Sequence, residues 1–262
     1  MTNISNISVK PPEDGISRIK LNEPATYNAL SSKTLKSLIS AFKSLNNENK
    51  TKVIIIEGSG KGFSAGHDLK EIRSLKNKKK EYQKLFSLCS KLMLEIVEGR
   101  KPVIAKVHGA AFAAGCQLVA SCDLAISSDE AIFATPGVNI GLFCSTPMVA
   151  VSRKINRKRM MKMLLTGDPI KADYAKEIGL INDHFPILEL EGQVLNLAKK
   201  IASKSNLTIK IGKKAFYKQL EMSLNKAYKY TSKVMTENAM YLDSHEGISA
   251  FLEKRKPNWK NK

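Results

Sequence analysis

The stretch GKGFSAGHDLKEI, residues 60–72, decides the fold because it places a glycine-rich turn between a strand-like run and a helix-like run. The run before it, VIIIEG, is apolar and has the length of a buried strand. Glycine adopts backbone angles that other residues avoid, and it lets another group approach the backbone. Aspartate is a good helix cap, so the pattern predicts a strand, a tight turn and a helix that starts near Asp68.

Two phosphate-binding interpretations of this turn fail. A P-loop needs the pattern GxxxxGK[ST], which the sequence lacks. A dinucleotide fingerprint matches Gly60, Gly62 and Ala65, but the acidic residue at the required distance, Glu81, lies in a lysine-rich helical segment instead of at the end of a strand. Two interpretations remain open: a turn whose backbone N–H groups face an anionic oxygen, and a plain connection without a ligand.

A second turn of the same kind lies in HGAAFAAGCQLVASCDLA, residues 108–125. A strand-like run again leads into very small residues and then into a short helix that we expect to start near Ala114. Two such turns side by side can direct two backbone N–H groups onto one oxygen atom. That arrangement is an oxyanion hole, which stabilises negative charge as it develops during a reaction.

Strand-like and helix-like segments alternate through much of the chain, which predicts an α/β fold. The predicted strands are residues 16–21, 52–58, 101–109 and 122–128. Apolar residues recur at helical spacing over residues 30–45, and the chain is predicted to be helical almost throughout after Leu188. We therefore expect a core domain over residues 1–195 and a helical region over residues 196–262.

The composition is typical of a soluble globular protein, with 43% hydrophobic and 26% charged residues. No apolar run reaches the roughly 18 residues of a membrane-spanning helix. Residues 1–15 resemble neither a secretory signal nor a transit peptide, so we expect a short frayed leader and a cytoplasmic protein. The four cysteines and four histidines show no metal-binding spacing, which predicts buried free thiols and no metal site.

The net charge of +19 attracts polyanions. Nucleic acid, a membrane surface and a substrate with several phosphates all fit, and charge alone leaves the three open. The densest basic run, residues 76–80, leads into a helix-like segment and is typical of a solvated surface.

Five segments together resemble the crotonase superfamily, also called the enoyl-CoA hydratase/isomerase family, over nearly the whole chain. They are GISRIKLNEPATYNALSSKTL, FSAGHDLKEI, KPVIAKVHGAAFAAGCQLVASCDLAISS, FATPGVNIGL and ISAFLEKRKPNW. The likeness is strongest to one branch, through GHDLKE, AAGCQLVASCD, FATPGVNIGLFCSTP and FYKQL.

The resemblance implies a spiral of β-β-α repeats followed by a helical region that assembles a homotrimer or a pair of trimers. It implies an acyl-CoA thioester as substrate, no separate cofactor, and a lyase or isomerase reaction of fatty acid metabolism. The two oxyanion donors would be the backbone N–H groups of His67 and Ala114. The residues expected to contact the substrate are Ala65, Gly66, Asp68, Leu69, Gly115 and Lys254.

The sequence departs from the family where hydratases carry two catalytic glutamates. By resemblance these positions fall on Gln117 and Gly137, so both general acid/base groups are missing and ordinary hydration is not expected. An aspartate that some members use falls on Ser145. The neighbouring Cys144 is a candidate nucleophile. The imidazole of His67 is a candidate acid or base.

Three functions therefore remain. One is an acyl-CoA enzyme that uses its oxyanion hole for isomerisation or thioester hydrolysis. The second is a non-catalytic acyl-CoA-binding protein. The third is an RNA-binding protein that uses its lysines, which the absence of a basic motif interleaved with aromatic residues disfavours.

Overall fold

The computed structural model describes residues 6–262, which form two β-sheets covered by helices. The strands are β1 Ile7–Glu13, β2 Ile16–Leu21, β3 Val53–Gly58, β4 Val103–Val107, β5 Ala110–Phe112, β6 Leu124–Ser128, β7 Ile132–Ala134, β8 Ile170–Lys171 and β9 Asp183–Phe185. The helices are α1 Ser32–Asn47, α2 Leu69–Ser74, α3 Lys78–Val97, α4 Ala114–Ser121, α5 Ser145–Val151, α6 Arg157–Thr166, α7 Ala172–Glu177, α8 Ile187–Ala202, α9 Asn206–Gln219, α10 Leu224–Ala239 and α11 Leu242–Leu252. The predicted α/β class is confirmed.

The larger sheet has the order β1-β2-β3-β4-β6-β9 and is parallel except for the β1–β2 pair. Every residue of β3 is buried, as its continuous apolar run predicts. Ile54 and Ile56 face the main core with α1 and α3, whereas Val53 and Ile55 face α8. The smaller sheet, β5-β7-β8, lies beyond the end of β4 and carries the second glycine turn.

The N-terminal segment corrects the expectation of a frayed leader. Within it, β1 pairs antiparallel with β2, and Ile7 is buried in the core opposite Leu21. Asp14 and Gly15 both have positive φ, which makes them a tight hairpin turn of the kind that Asp-Gly favours. This hairpin signal is present in the sequence, and the edge position of β1 explains how the strand tolerates two prolines.

The C-terminal helices differ from the core in how much apolar surface they expose. The domain boundary predicted after residue 195 falls inside α8. Ala198 and Ala202 of this helix pack on the large sheet. Beyond it, Leu224, Met235 and Phe251 are each more than 70% exposed. The role of residues 196–262 in trimer assembly stays a prediction.

Candidate functional site

The first glycine turn is held by side chains of the preceding loop. The amide of Asn28 donates to the carbonyl groups of Ser59 (2.8 Å) and Gly62 (2.9 Å). The Ser64 hydroxyl donates to the Asn28 carbonyl (3.0 Å) and accepts from the Gly66 N–H (3.2 Å). Asn28 and Ser64 are buried, so they fix the turn from behind. Both residues lie in segments that resemble the family, but the sequence pattern does not indicate this role for either of them.

The second turn is tied to the first by backbone hydrogen bonds. The Phe112 N–H donates to the Ser64 carbonyl (2.9 Å), and the Ala113 N–H donates to the Ala134 carbonyl (2.9 Å). Ala113 has φ 48° and ψ −115°, a strained conformation for a residue with a side chain. Helix α4 begins at the next residue, Ala114, as predicted. Strain of this kind is concentrated at functional sites in proteins.

The two turns come into direct contact at the predicted oxyanion donors. A Cβ atom added to Gly66 would lie 3.1 Å from the Ala114 nitrogen, and one added to Gly115 would lie 2.3 Å from the Ser64 carbonyl oxygen. Larger residues would force the turns apart. Within residues 6–262 the N–H groups of His67 and Ala114 donate to no protein acceptor. Two unpaired backbone donors therefore lie on adjacent turns.

The His67 side chain is largely enclosed beside the first turn. Its Nδ1 lies 3.3 Å from the Leu30 carbonyl oxygen, and its ring meets the Phe86 ring edge-on at 5.5 Å between centroids. Burial lowers the pKa of the imidazole, which favours the neutral form. Neutral His67 donates from Nδ1 to the carbonyl, and its buried Nε2 is an acceptor without a partner in residues 6–262.

Gln117, the first missing glutamate position, lies inside α4 and is only 3% exposed. Its Oε1 atom accepts a hydrogen bond from the Cys89 thiol of α3, at 3.8 Å. Burial raises the pKa of the Cys89 thiol to about 12, so the thiol keeps its proton at neutral pH. The side-chain Nε2 of Gln117 has no acceptor in the described part of the chain.

Gly137, the second missing glutamate position, lies in a short 3-10 helix at Pro136–Ile140. A Cβ atom there would lie 2.4 Å from the Leu142 carbonyl oxygen and 2.8 Å from the Cys144 sulfur. The backbone therefore leaves no space for any side chain. The loop accommodates only glycine at this position, because the Cys144 sulfur lies beside the place where a Cβ atom would be.

Cys144 and Ser145 begin the segment that follows this loop. Burial raises the pKa of the Cys144 thiol, which disfavours the thiolate that a nucleophile requires. The Ser145 hydroxyl is exposed and donates to the Phe143 carbonyl at 3.4 Å, its only side-chain hydrogen bond within residues 6–262. Their catalytic roles stay predictions, and this geometry gives them little support. All four cysteines are buried free thiols, as predicted.

The remaining predicted contact residues surround the first turn, with one exception. Ala65 is exposed next to Gly66, and Leu69 is 55% exposed at the start of α2. Asp68 caps α2 as predicted, because its carboxylate accepts from two amides in the first helical turn. Lys254 is exposed just after α11, on the C-terminal helices.

A surface cavity of about 260 Å³ lies between the ends of β2–β4 and α8. It is lined by charges that pair with one another, including Lys106 Nζ and Glu57 Oε2 at 2.6 Å. Neither of the two predicted donor residues, His67 and Ala114, lines this cavity. The described residues contain no helix with the length and apolar character needed to cross a bilayer.

Comparison with known proteins identifies the family of this chain. The sequence model of the enoyl-CoA hydratase/isomerase family matches residues 12–262. The chain belongs to this family. A human relative, enoyl-CoA hydratase domain-containing protein 3, mitochondrial, is 49% identical over 246 residues, which are 94% of this chain and 81% of the human one. Its name is that of the branch indicated by the sequence motifs.

Solved structures of this family share the fold. A crystal structure of the human enoyl-CoA hydratase domain-containing protein 3 has a TM-score of 0.93 at 48% identity, covering 97% of this chain and 100% of that one. An enoyl-CoA hydratase from Mycobacterium smegmatis has a TM-score of 0.95 at 43% identity, covering 97% and 98%. The predicted crotonase fold is confirmed.

The expected cytoplasmic location is wrong on this comparison. The human, mouse and rat relatives are all named as mitochondrial. The expectation depended on the composition of residues 1–15, taken as a leader. Because residues 7–13 form a strand of the folded domain, their composition reflects folding and carries no information about targeting.

Proposed function

We propose that this family member binds acyl-CoA thioesters and stabilises a thioester enolate between the N–H groups of His67 and Ala114. The observation that carries the proposal is the pair of unpaired backbone donors on two turns in contact. Ala114 is fully buried, and a buried N–H without an acceptor is costly, so its retention beside the His67 N–H favours a ligand oxygen as the missing partner.

The chemistry follows from the charge that develops on a thioester. Removal of a proton from the carbon next to the carbonyl places negative charge on the carbonyl oxygen. Fixed N–H dipoles stabilise that charge without having to reorganise, and one such donor is typically worth about 100-fold to 1000-fold in rate. The strained Ala113 and the close-packed Gly66 hold the donors in place beforehand.

Addition of water across the double bond of an enoyl thioester is the reaction that this site supports least. It requires a general base and a general acid, each worth about 100-fold to 10,000-fold. Gln117 cannot take a proton near neutral pH, and Gly137 has no side chain and no space for one. We therefore propose either isomerisation, in which a proton is removed and returned through the enolate, or thioester hydrolysis, in which the same two donors stabilise the tetrahedral oxyanion that forms when water adds to the carbonyl carbon and that collapses with release of CoA.

The assembly and location are proposed on separate grounds. The exposed apolar side chains of α10 and α11 support burial against further copies of the chain, as a homotrimer or a pair of trimers. The names of the mammalian relatives support a mitochondrial location.

Calorimetric titration with butyryl-CoA tests the proposal in the wild type and two Ala114 variants. Ala114→Pro removes one donor at the first position of a helix, where no intrahelical bond is lost, and its ring carbon replaces the N–H hydrogen. Ala114→Gly is the matched control because it shortens the side chain and keeps the N–H. We expect Ala114→Pro to weaken binding at least about 10-fold, and Ala114→Gly to bind like the wild type.

A parallel assay follows crotonyl-CoA by loss of its enoyl absorbance, and we expect negligible hydration by the wild type. Rapid hydration would overturn the argument from the missing carboxylates. Absence of acyl-CoA binding, together with RNA binding that falls steeply with salt and resists competition by CoA, would replace the proposal with the RNA-binding alternative.

A further inference from the structure

Helices α1 and α3 form one layer on a face of the large sheet, and the outer side of this layer is rich in lysine. The two helices pack against each other, and the Asn46 side chain at the end of α1 accepts from the Arg100 (2.9 Å) and Lys101 (3.1 Å) N–H groups that follow α3. Helices of 16 and 20 residues are about 24 Å and 30 Å long, with axes about 10 Å apart. The layer therefore presents a broad surface to the solvent.

The lysine face consists of exposed side chains that the helical repeat brings to the outer side of this layer. Its members are three lysines of each helix: Lys33, Lys36 and Lys43 of α1, and Lys80, Lys84 and Lys91 of α3. Their spacings of three, four and seven residues place the lysines of each helix in one stripe. Within residues 6–262, none of these six ammonium groups forms an ion pair or donates a hydrogen bond. Six positive charges are therefore open to a partner from outside the chain.

Acidic side chains offset little of this charge. Helix α1 contains no aspartate or glutamate. In α3, Glu81 and Glu95 are half-buried, and Glu81 accepts the Asn77 N–H (2.7 Å) at the start of the helix. The exposed carboxylates lie at the helix ends, where Glu48 follows α1 and Glu98 follows α3. The lysine face therefore concentrates positive charge on one side of a chain that already carries a net charge of +19.

The residue types of this surface favour an anionic membrane over a nucleic acid. Proteins that bind single strands stack the bases on aromatic side chains, and proteins that read a duplex commonly use arginine for bidentate contacts. Neither α1 nor α3 contains an arginine, and no aromatic side chain of either helix is exposed. Leu94 lies three residues after Lys91 in the same stripe and is 54% exposed. An apolar side chain among lysines fits the boundary between lipid headgroups and acyl chains.

We propose that the lysine face docks the protein on a membrane surface that carries anionic phospholipid headgroups. Each lysine close to such a surface typically contributes about fivefold in affinity, and salt screens the attraction. Several lysines on one face therefore act together, and the protein binds at the surface without a helix that crosses the bilayer. The inference goes beyond the proposed acyl-CoA site and does not depend on it, because none of the six lysines belongs to the two glycine turns.

Co-sedimentation with lipid vesicles tests the proposal. One set of vesicles contains phosphatidylcholine alone, and the other contains phosphatidylcholine mixed with phosphatidylserine. We expect the wild type to bind only the vesicles with phosphatidylserine, and to bind them less as the salt concentration rises. A triple variant of the lysine face, Lys36→Gln with Lys84→Gln and Lys91→Gln, should bind these vesicles about 100-fold more weakly, because three contributions of about fivefold are lost.

A second triple variant is the matched control, because it removes the same charge from the other side of the large sheet. It combines Lys199→Gln, Lys200→Gln and Lys204→Gln, at and just after the end of α8, where all three side chains are exposed. Helix α8 packs on the sheet face opposite α1 and α3. We expect this variant to bind the vesicles within about threefold of the wild type, because salt screens charges that lie farther than a Debye length from the membrane. Exposed substitutions of this kind should leave the melting temperatures of both variants close to that of the wild type.

Three results would overturn the inference. The first is a wild type that does not bind vesicles with phosphatidylserine. The second is an equal loss of vesicle binding in the two triple variants, which would assign the attraction to net charge instead of the lysine face. The third is tighter binding of poly(U) RNA than of vesicles at equal phosphate concentration, lost in the variant of the lysine face, which would assign this surface to a nucleic acid. None of these results bears on the proposed acyl-CoA site.

Discussion

Gly66→Ala is predicted to damage the site more than the fold. Gly66 has φ +91°, and an added Cβ would lie 2.9 Å from the Phe112 carbonyl oxygen and 3.1 Å from the Ala114 nitrogen. The left-handed conformation costs an alanine about 1–3 kcal/mol, and the stiffer unfolded chain offsets about 0.4–1 kcal/mol of that cost. We expect a net loss of stability of about 1–2 kcal/mol, plus a displaced Ala114 N–H.

The assay measures both effects on one preparation. Thermal or urea denaturation gives the change in the free energy of unfolding, and calorimetry gives the affinity for butyryl-CoA. Gly179→Ala is a matched control, because Gly179 has φ +84° but its added Cβ would approach nothing closer than the Lys154 carbonyl oxygen at 3.4 Å. We expect the control to lose stability through strain alone and to bind normally, while Gly66→Ala binds at least about 10-fold more weakly.

Equal affinity of Gly66→Ala and Gly179→Ala for butyryl-CoA would refute this reasoning. It would mean that the contact between the two turns does not position a donor for the thioester. Equal losses of stability would show in addition that the close contacts of the added Cβ relax without cost.

Three further changes follow from particular contacts. Gly137→Glu should destabilise the protein in urea denaturation and should not produce crotonyl-CoA hydration, because the added carbon meets a backbone carbonyl. Lys213→Met should lower the free energy of unfolding by about 3 kcal/mol in the same assay, because the Lys213 ammonium is buried 2.7 Å from the Asp123 carboxylate. Substitution of the exposed neighbour, Lys214→Met, should change the free energy of unfolding by less than about 0.5 kcal/mol. Burial lowers the folded-state pKa of His67, so its contribution to stability is complete above the unfolded value of about 6.5 and declines as the pH falls below it. His67→Gln should flatten that decline in melting temperatures measured across this range.

Each of these predictions has a contradicting result. Hydration by Gly137→Glu would mean that the loop opens easily. Equal effects of the two lysine variants would mean that the Asp123 carboxylate is stabilised without the Lys213 ammonium. An unchanged pH profile in His67→Gln would assign the decline to other groups.

The sequence predicts the elements that have strong local signals. The continuous apolar run of β3 and the small-residue turn before α4 both indicate their structures directly, because burial and close approach require those residue types. The short strands β5, β7 and β8 were not predicted. They contain two or three residues each, which is too short for a periodic pattern, and their pairing depends on distant segments.

The sequence predicts the two backbone turns better than the side-chain contacts around them. The resemblance pointed to His67 and Ala114, and the structure places their turns in contact. The sequence also showed that Gln117 and Gly137 lack carboxylates. It could not show that a side chain at Gly137 would clash with the backbone, or that the Cys89 thiol contacts the Gln117 amide oxygen, because both facts depend on the folded chain.

The most direct test of the central claim is the carbon-13 chemical shift of the thioester carbonyl of [1-¹³C]butyryl-CoA bound to the protein. Two N–H donors polarise the carbonyl, so we predict a downfield shift on binding to the wild type that shrinks in Ala114→Pro and persists in Ala114→Gly. A bound ligand with the chemical shift of free butyryl-CoA would contradict the assignment of these two turns as an oxyanion hole.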